Sequence, residues 1–340
     1  MESNHLRIVW TADHLNEVEW IRFLLAPMRF EEMEDKRFER AVPNALYVVN
    51  SNHTPLHSIP KTFYDSVNQH NSVGLFHLSD EWFGEDYNYY RNFSFVIRTY
   101  STRCLQHAGI MTIPLGFPNE TNREGIGMPA SQRSYLWCFF GNERKGSRPD
   151  MLRTFRAISS QSPVPTSNLK KSDYDCILRQ TTFCPAPMGN VVLETWRTYE
   201  AMENGCIPLV ERRVFCDYYR DLFGHHPIPT FSNWRQARAF LEELSCSLTR
   251  LDALQSEIYL WWQNEKINVR DKVIEFTKNG LHGLYKLDLE KFHFFSRPWR
   301  KIWQYNELVR HHSVPAIGRN LLKAINRRGK VYPESLRLFN

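Results

Sequence analysis

Residues Thr181–Val210 read TTFCPAPMGNVVLETWRTYEAMENGCIPLV, and three charged side chains, Glu194, Arg197 and Glu200, recur in them at steps of three. That spacing keeps all three on nearly one face of a helix. The stretch before them, Pro185 to Gly189, holds mostly small side chains and leads into the predicted helix. Free backbone N–H groups at such an entry, together with the helix dipole, hold phosphate. Arg197 adds a planar, permanently charged fork suited to a diphosphate. Glu200, a turn further on, can accept hydrogen bonds from a ribose diol. Pro187, Gly189 and Asn190 then line the phosphate, with Asn190 as N-cap and Gly205 as the residue just past the far end. The competing reading is an ordinary solvated helix with a Glu–Arg pair.

Such a helix needs a sheet to position it. Short apolar runs precede and follow it, FCPAP and then CIPLV (Cys206–Val210), and more occur along the chain: LRIVW, ALYVVN, SVGLFHLSD, FSFVIRTY, GIMTIPLG and SYLWCFFGN. Between them lie helical patterns such as LNEVEWIRFLLAPM and RPDMLRTFRAI, the latter opened by Pro149. Alternation of this kind predicts an α/β protein with mainly parallel sheets covered on both faces. Residues 117–133, FPNETNREGIGMPASQR, are polar and rich in Gly, Pro and Asn. We read 119–133 as a linker between an acceptor-side domain (1–118) and a nucleotide-sugar-binding domain (134–285), followed by a basic aromatic tail (286–340). Two doubly wound, Rossmann-like domains facing across a cleft are expected, with the ligand beyond the carboxyl ends of the strands.

The bulk numbers fit this frame. The chain has 340 residues, enough for two domains, and its 42% hydrophobic and 24% charged content is that of a globular protein. Its seven cysteines form no Cys-x-x-Cys pair, which suits reduced thiols in a cytoplasmic protein better than a disulfide frame or zinc site. Sequons at Asn52, Asn92 and Asn119 carry little weight, and a Golgi lumenal location is the lesser alternative. The start, MESNHLRIVW, lacks the apolar run of a signal peptide. The formal charge of +6 is concentrated late: from Lys291 onward there are eleven Lys or Arg against two acids. That distribution argues against a nucleic-acid-binding core and for an anionic partner of the tail, either a membrane surface in peripheral contact or a phosphate-bearing acceptor.

The order of residues adds a resemblance. Phe183, Cys184, Pro187, Gly189, Arg197, Glu200, Ala201, Gly205, Cys206, Ile207 and Pro208 follow a pattern similar to the carboxyl-terminal motif of the exostosin family of GT-B glycosyltransferases. Phe140, Gly141 and Arg148 resemble an upstream element of that family, and Asn233–Trp234 a downstream one. GLFHLSDEWF and FSFVIRTY resemble its ribitol xylosyltransferase branch more loosely. The resemblance is specific over about residues 134–244. It implies a nucleotide-sugar donor, usually UDP-linked, and transfer with inversion to a polysaccharide or alditol-phosphate hydroxyl, with no obligatory metal or other cofactor. Carried over, Arg197 contacts the diphosphate, Glu200 the nucleoside, and Gly141, Asn142 and Arg148 line the donor side. Glu194 departs from the family pattern.

Inversion needs a base for the acceptor hydroxyl. In HLSDEWFGED, Asp80 and Glu81 stand just past a predicted strand and are the first choices, ahead of His77, Glu85 and Asp86; an acidic surface loop is the alternative. Arg98 can hold an anionic acceptor or donor group, or form a structural salt bridge. Asp173-Tyr174-Asp175 has the Asp-x-Asp form of a manganese site, but its context does not favour metal binding. The pairs His225–His226 and His311–His312 do not share a face and read as structural or solvent-facing. The leading expectation is a glycosyltransferase. The alternative is a non-catalytic anionic-glycan-binding module. A Rossmann-type metabolic enzyme lacks its Gly-x-Gly-x-x-Gly fingerprint here.

Overall fold

The structure is a computed structural model that describes residues 5–158, 162, 169–285, 287 and 297–311. The chain is α/β and divides into two compact units. The first takes its described residues from Met1–Leu115 and Glu265–Glu307, the second from Gly116–Asn264 and Leu308–Asn340.

The first unit begins β1 (Leu6–Trp10), α1 (Val18–Leu25), β2 (Phe30–Glu34), β3 (Ala45–Asn50), α2 (Lys61–Val67), β4 (Val73–Leu78), β5 (Phe95–Arg98) and β6 (Ile110–Thr112). Its sheet has the order β2-β1-β3-β4-β5-β6, and every neighbouring pair is parallel. Each residue of β3 and β4 is buried. Covered on both faces, such strands must be continuous apolar runs, which is why they are readable in the sequence. β2, FEEME, is the edge strand and is mostly exposed. Its acids face cations instead of a core: Arg7 Nε lies 2.6 Å from Glu31 and Arg22 Nη2 2.7 Å from Glu32. Alternation of apolar and polar residues is absent from it, so pattern reading passes it over. The strand order reverses between β1 and β3, which opens a crevice at their carboxyl ends in sheets of this kind.

The second unit contains β7 (Tyr135–Trp137), α3 (Arg148–Phe155), α4 (Lys171–Arg179), β8 (Thr181–Ala186), α5 (Trp196–Glu203), β9 (Ile207–Glu211), α6 (Tyr218–Phe223), β10 (Thr230–Phe231), α7 (Trp234–Ser245) and the start of α8 (Leu248–Leu281). The rest of α8 belongs to the first unit, as does α9 (Arg297–His311) as far as Glu307. The sheet order is β10-β9-β8-β7, again all parallel. The segments that follow β7, β8 and β9 therefore leave the sheet at one edge.

Two local rules shape this unit. Asn233 caps α7 by accepting from the Gln236 N–H at 3.1 Å. At the end of α5, Gly205 takes φ +65°, the Gly205 N–H reaches the Met202 carbonyl and the Cys206 N–H reaches that of Ala201. This paired closure requires the left-handed backbone that glycine adopts freely. The Gly- and Pro-rich stretch 117–133 falls in the second unit. Arg133 ties it down, donating to the carbonyls of Ile126, Leu178, Thr181 and Asn204 at 2.8–3.2 Å.

No described helix is long and apolar enough to cross a membrane. Of the basic stretch 286–340, only Leu287 and residues 297–311 are described, so most of the expected anion-contacting tail lies outside the described residues.

Candidate functional site

The opening segment folds differently from its pattern at one point. The sequence places the helix start just after Gly189, with Asn190 as N-cap; α5 instead begins at Trp196, with Thr195 in the cap position. Residues 190–193 form bends, and the Gly189 N–H bonds to the Val192 carbonyl at 2.9 Å. Two β-branched residues, Val191 and Val192, are fully buried there and favour extended over helical backbone. The correction moves Arg197 into the first turn of α5, where the dipole is most positive, and takes Glu194 off the helix altogether.

Glu194 is 1% exposed and accepts from the hydroxyls of Tyr199 and, at 2.6 Å, Tyr218. It is an interior carboxylate that joins α5 to α6. Glu200 lies 3.1 Å from Lys171 on α4, which also holds the buried Asp175 at 2.7 Å. The nucleoside-binding role expected of Glu200 would have to share it with that lysine.

Arg197 stands at the carboxyl edge of the sheet. Its guanidinium lies 4.5 Å over the Phe139 ring, and Nη2 donates to the Phe140 carbonyl at 2.8 Å. Nε and Nη1 have no hydrogen-bond partner among the described residues. Gly141 makes this placement possible: its φ is +141°, and a Cβ there would stand 2.9 Å from Arg197 Nη2 and 4.0 Å from Arg148 Nη1. Two guanidiniums thus converge on one glycine. Arg148 is buried, bonds the Asn142 carbonyl at 2.9 Å and lies 6.0 Å over the same Phe139 ring.

The loops after β7 and β8 are tied together beside these arginines. Lys145 Nζ donates to Asn190 Oδ1 at 2.7 Å, and Gly146 packs on Met188. Glu211, at the end of β9, accepts from Ser147 Oγ, from the Met188 N–H at 3.1 Å and from Arg213 Nη1 at 3.0 Å. Pro187 is buried while Gly189 and Asn190 are half-buried. Gly141, Asn142, Arg148, Pro187, Gly189, Asn190 and Arg197 therefore gather at one sheet edge. Lys145, Ser147, Glu211 and Arg213 join them unforeseen; the sequence shows a cluster of basic residues in GNERKGS and in Arg212–Arg213 after β9, but nothing in it marks their partners. An edge with four cations and a buried anchoring carboxylate suits a multiply charged anion such as a diphosphate.

The residues expected to serve an acceptor sit in the first unit. Asp80 is 4% exposed and accepts from the Tyr87 hydroxyl, the Gly84 N–H at 2.9 Å and Arg98 Nη2 at 3.4 Å. Burial pushes its carboxyl up, against the pull of Arg98 and Tyr87. Arg98 is wholly buried, 4.8 Å over the Tyr87 ring. Of the two readings weighed for Arg98, this geometry is that of a structural ion pair. Asp80, expected as a base, and Arg98, expected to hold an anion, thus engage each other inside the first unit. Glu81 is half-buried and also has partners. Glu85 accepts from the Leu56 N–H at 3.0 Å, and Asp86 caps a turn at Asn88. His77 bridges Ser51 Oγ (2.7 Å) and the Tyr90 hydroxyl (2.6 Å), and burial holds it well below the usual imidazole range.

Among the described residues, no group of three or more His, Cys, Asp or Glu is arranged to hold a metal ion. Asp175 of the Asp-x-Asp stretch lies on α4 and is taken up by Lys171 and the Asn122 N–H. His311 is buried and accepts from the Leu193 N–H at 3.4 Å; His312 lies outside the described residues.

No protein-family model matches the chain, and no curated protein matches it. Solved structures that it resembles are described as a DNA-modifying β-glucosyltransferase with and without uridine diphosphoglucose (TM-score 0.45, 11% identity) and the T4 phage enzyme BGT with UDP-glucose (TM-score 0.45, 10% identity). Each pairing covers 82% of this chain and 99% of the other. Likeness at this level assigns neither family nor activity to this chain.

Proposed function

We propose that the chain is a nucleotide-sugar glycosyltransferase of GT-B type whose second unit binds the donor diphosphate. The observation that carries this reading is Arg197: a guanidinium in the first turn of α5, stacked on Phe139, with two nitrogens unpartnered and a second guanidinium, Arg148, across Gly141. Departure of a nucleoside diphosphate builds negative charge on its outer phosphate. Preorganised cations and the α5 dipole stabilise that charge without reorganisation. Lys145, Asn190 and the Gly189 region bring hydrogen-bonding groups to the same edge.

The finer form of this reading is exostosin-like, with a UDP-linked sugar, inversion, and a polysaccharide or alditol-phosphate acceptor. It rests on the residue pattern over about residues 134–244, from Phe140, Gly141 and Arg148 through Phe183–Pro208 to Asn233–Trp234. The test is a panel of nucleotide sugars read first by melting temperature and then by radiolabel transfer. A non-catalytic glycan-binding module would show neither UDP stabilisation nor donor turnover.

A further inference from the structure

Glu17 belongs to no motif, yet its surroundings are unusual. It ends the loop after β1 and occupies the N-cap position of α1, but its side chain makes no capping bond there. It is 1% exposed, and its Oε2 has no hydrogen-bond partner among the described residues. Oε1 meets Ser79 Oγ at 3.4 Å, a long contact. A buried carboxylate with one oxygen unsatisfied is costly and uncommon.

Its position gives that cost a use. Glu17 follows β1, Ser79 follows β4 and Asn50 ends β3, and these strands are consecutive in the sheet as β1-β3-β4. Asn50 Nδ2 donates to Ser79 Oγ at 2.9 Å, and the Ser79 N–H reaches Thr99 Oγ1 at 3.3 Å. Ser79 is held at φ +63°, so its hydroxyl is directed by backbone as well as by partners. These three side chains lie at the carboxyl ends of the strands where the strand order reverses, the place where open parallel sheets take ligands.

We propose that the carboxyl edge of β1, β3 and β4 is the acceptor site, and that Glu17 is the catalytic base that takes the proton from an acceptor alcohol there. This rests on the glycosyltransferase reading above. The alcohol oxygen forms its bond to the sugar's anomeric carbon as the bond from that carbon to the phosphate oxygen breaks. The electron pair leaves with the nucleoside diphosphate, the hydroxyl proton passes to Glu17, and solvent later removes it. An alcohol hydroxyl also supplies the partner that Oε2 lacks.

Protonation chemistry agrees with the geometry. Burial pushes the Glu17 carboxyl up to about 7, opposed by hydrogen bonds from Ser79 and from the backbone at Glu17 and Asn16. A base poised near neutrality is what proton abstraction at pH 7 needs. Several other charged groups near this edge already have partners, Glu81 among them. Asp13 pairs with Lys36, Asp80 with Arg98, and His77 is held neutral between Ser51 and Tyr90. His14, in the same loop, is exposed. Asp80 has donors on both oxygens, which leaves Glu17 the better placed carboxylate.

The test uses the full chain, a panel of radiolabelled UDP-sugars as donors, and water or ribitol 5-phosphate as acceptor. Glu17→Gln is expected to lower turnover about 100-fold or more, to leave UDP affinity unchanged, and to abolish the rise in rate between pH 6 and 8. Ser79→Ala removes a bond to the charged form, so the same rise should move to higher pH with its plateau retained. Should Glu17→Gln fail to fold, that Ser79→Ala displacement decides alone; an unmoved profile overturns the assignment. Turnover by Glu17→Gln within twofold of the unaltered chain, with UDP still bound, overturns Glu17 and spares the transferase reading. If no UDP-sugar is bound or turned over by the unaltered chain, the transferase reading falls and Glu17's role falls with it.

Discussion

The Arg197 guanidinium lies 4.5 Å above the Phe139 ring, one donor spent on the Phe140 carbonyl. The aromatic face holds the cation without neutralising it. A carboxylate in that place would have pinned Arg197 just as well and cancelled the charge an anion needs.

Replacing Arg197 by Ala should therefore weaken UDP more than it weakens the fold. Loss of charge-assisted hydrogen bonds to phosphate costs about 1.5–3 kcal/mol, or roughly 10- to 100-fold in Kd. Isothermal titration with UDP checks the affinity, and circular dichroism on heating checks the fold. Arg197→Lys keeps the charge but not the planar fork, so it should recover only part of the affinity.

Gly141→Ala tests how Arg197 is seated. The added methyl meets Arg197 Nη2 at 2.9 Å and forces a side chain onto φ +141°. We expect a stability loss of about 1–3 kcal/mol and weaker UDP binding, although no phosphate-contacting group has been removed. Melting curves with and without UDP separate the two effects.

Glu194 is predicted to be structural. Glu194→Ala leaves the Tyr199 and Tyr218 hydroxyls buried without their acceptor, at about 1–3 kcal/mol each. The melting temperature should fall by several degrees, while UDP affinity per folded molecule stays the same. A selective loss of UDP binding would instead return Glu194 to the site.

Asp80→Asn separates the two roles weighed for that residue. Arg98 would be left as a buried charge with its main counter-ion gone, a loss on the order of 3–5 kcal/mol. Reduced thermal stability with a normal pH profile marks the ion pair; reduced turnover with unchanged melting marks a base.

Glu17 also links stability to pH. Its folded carboxyl, at about 7, is raised above the ordinary 4.5, so the folded state holds the proton more tightly. Its contribution is most favourable below pH 4.5 and is lost as pH rises through 7, a swing on the order of 3 kcal/mol. Between pH 5 and 8 the unaltered chain should lose melting temperature relative to Glu17→Gln. Parallel curves would contradict the buried, unpartnered carboxylate.

The strands that the sequence disclosed are those whose burial imposes a continuous apolar run. ALYVVN is β3 to the residue, and VGLFHL is β4. β2 was hidden because an exposed edge strand can be made of glutamates paired with arginines. The expected start of α5 differs because Asn190 and Gly189 look like a cap, whereas the buried Val191 and Val192 sit in bends and the helix does not begin until Trp196. At the candidate site, the Pro–Gly–Asn loop and Arg197 were legible from residue type and order. Glu211 and Lys145 were not, since their roles depend on partners far away in the chain, Ser147 and Asn190. Glu17 was invisible for a different reason: no pattern records that an oxygen has been buried without a partner.

The most direct test of the central claim is titration of UDP into the unaltered chain and into Arg197→Ala. The account predicts saturable binding by the first and a loss of roughly 10-fold or more in the second. Equal affinity for both, or no binding by the unaltered chain, would contradict it.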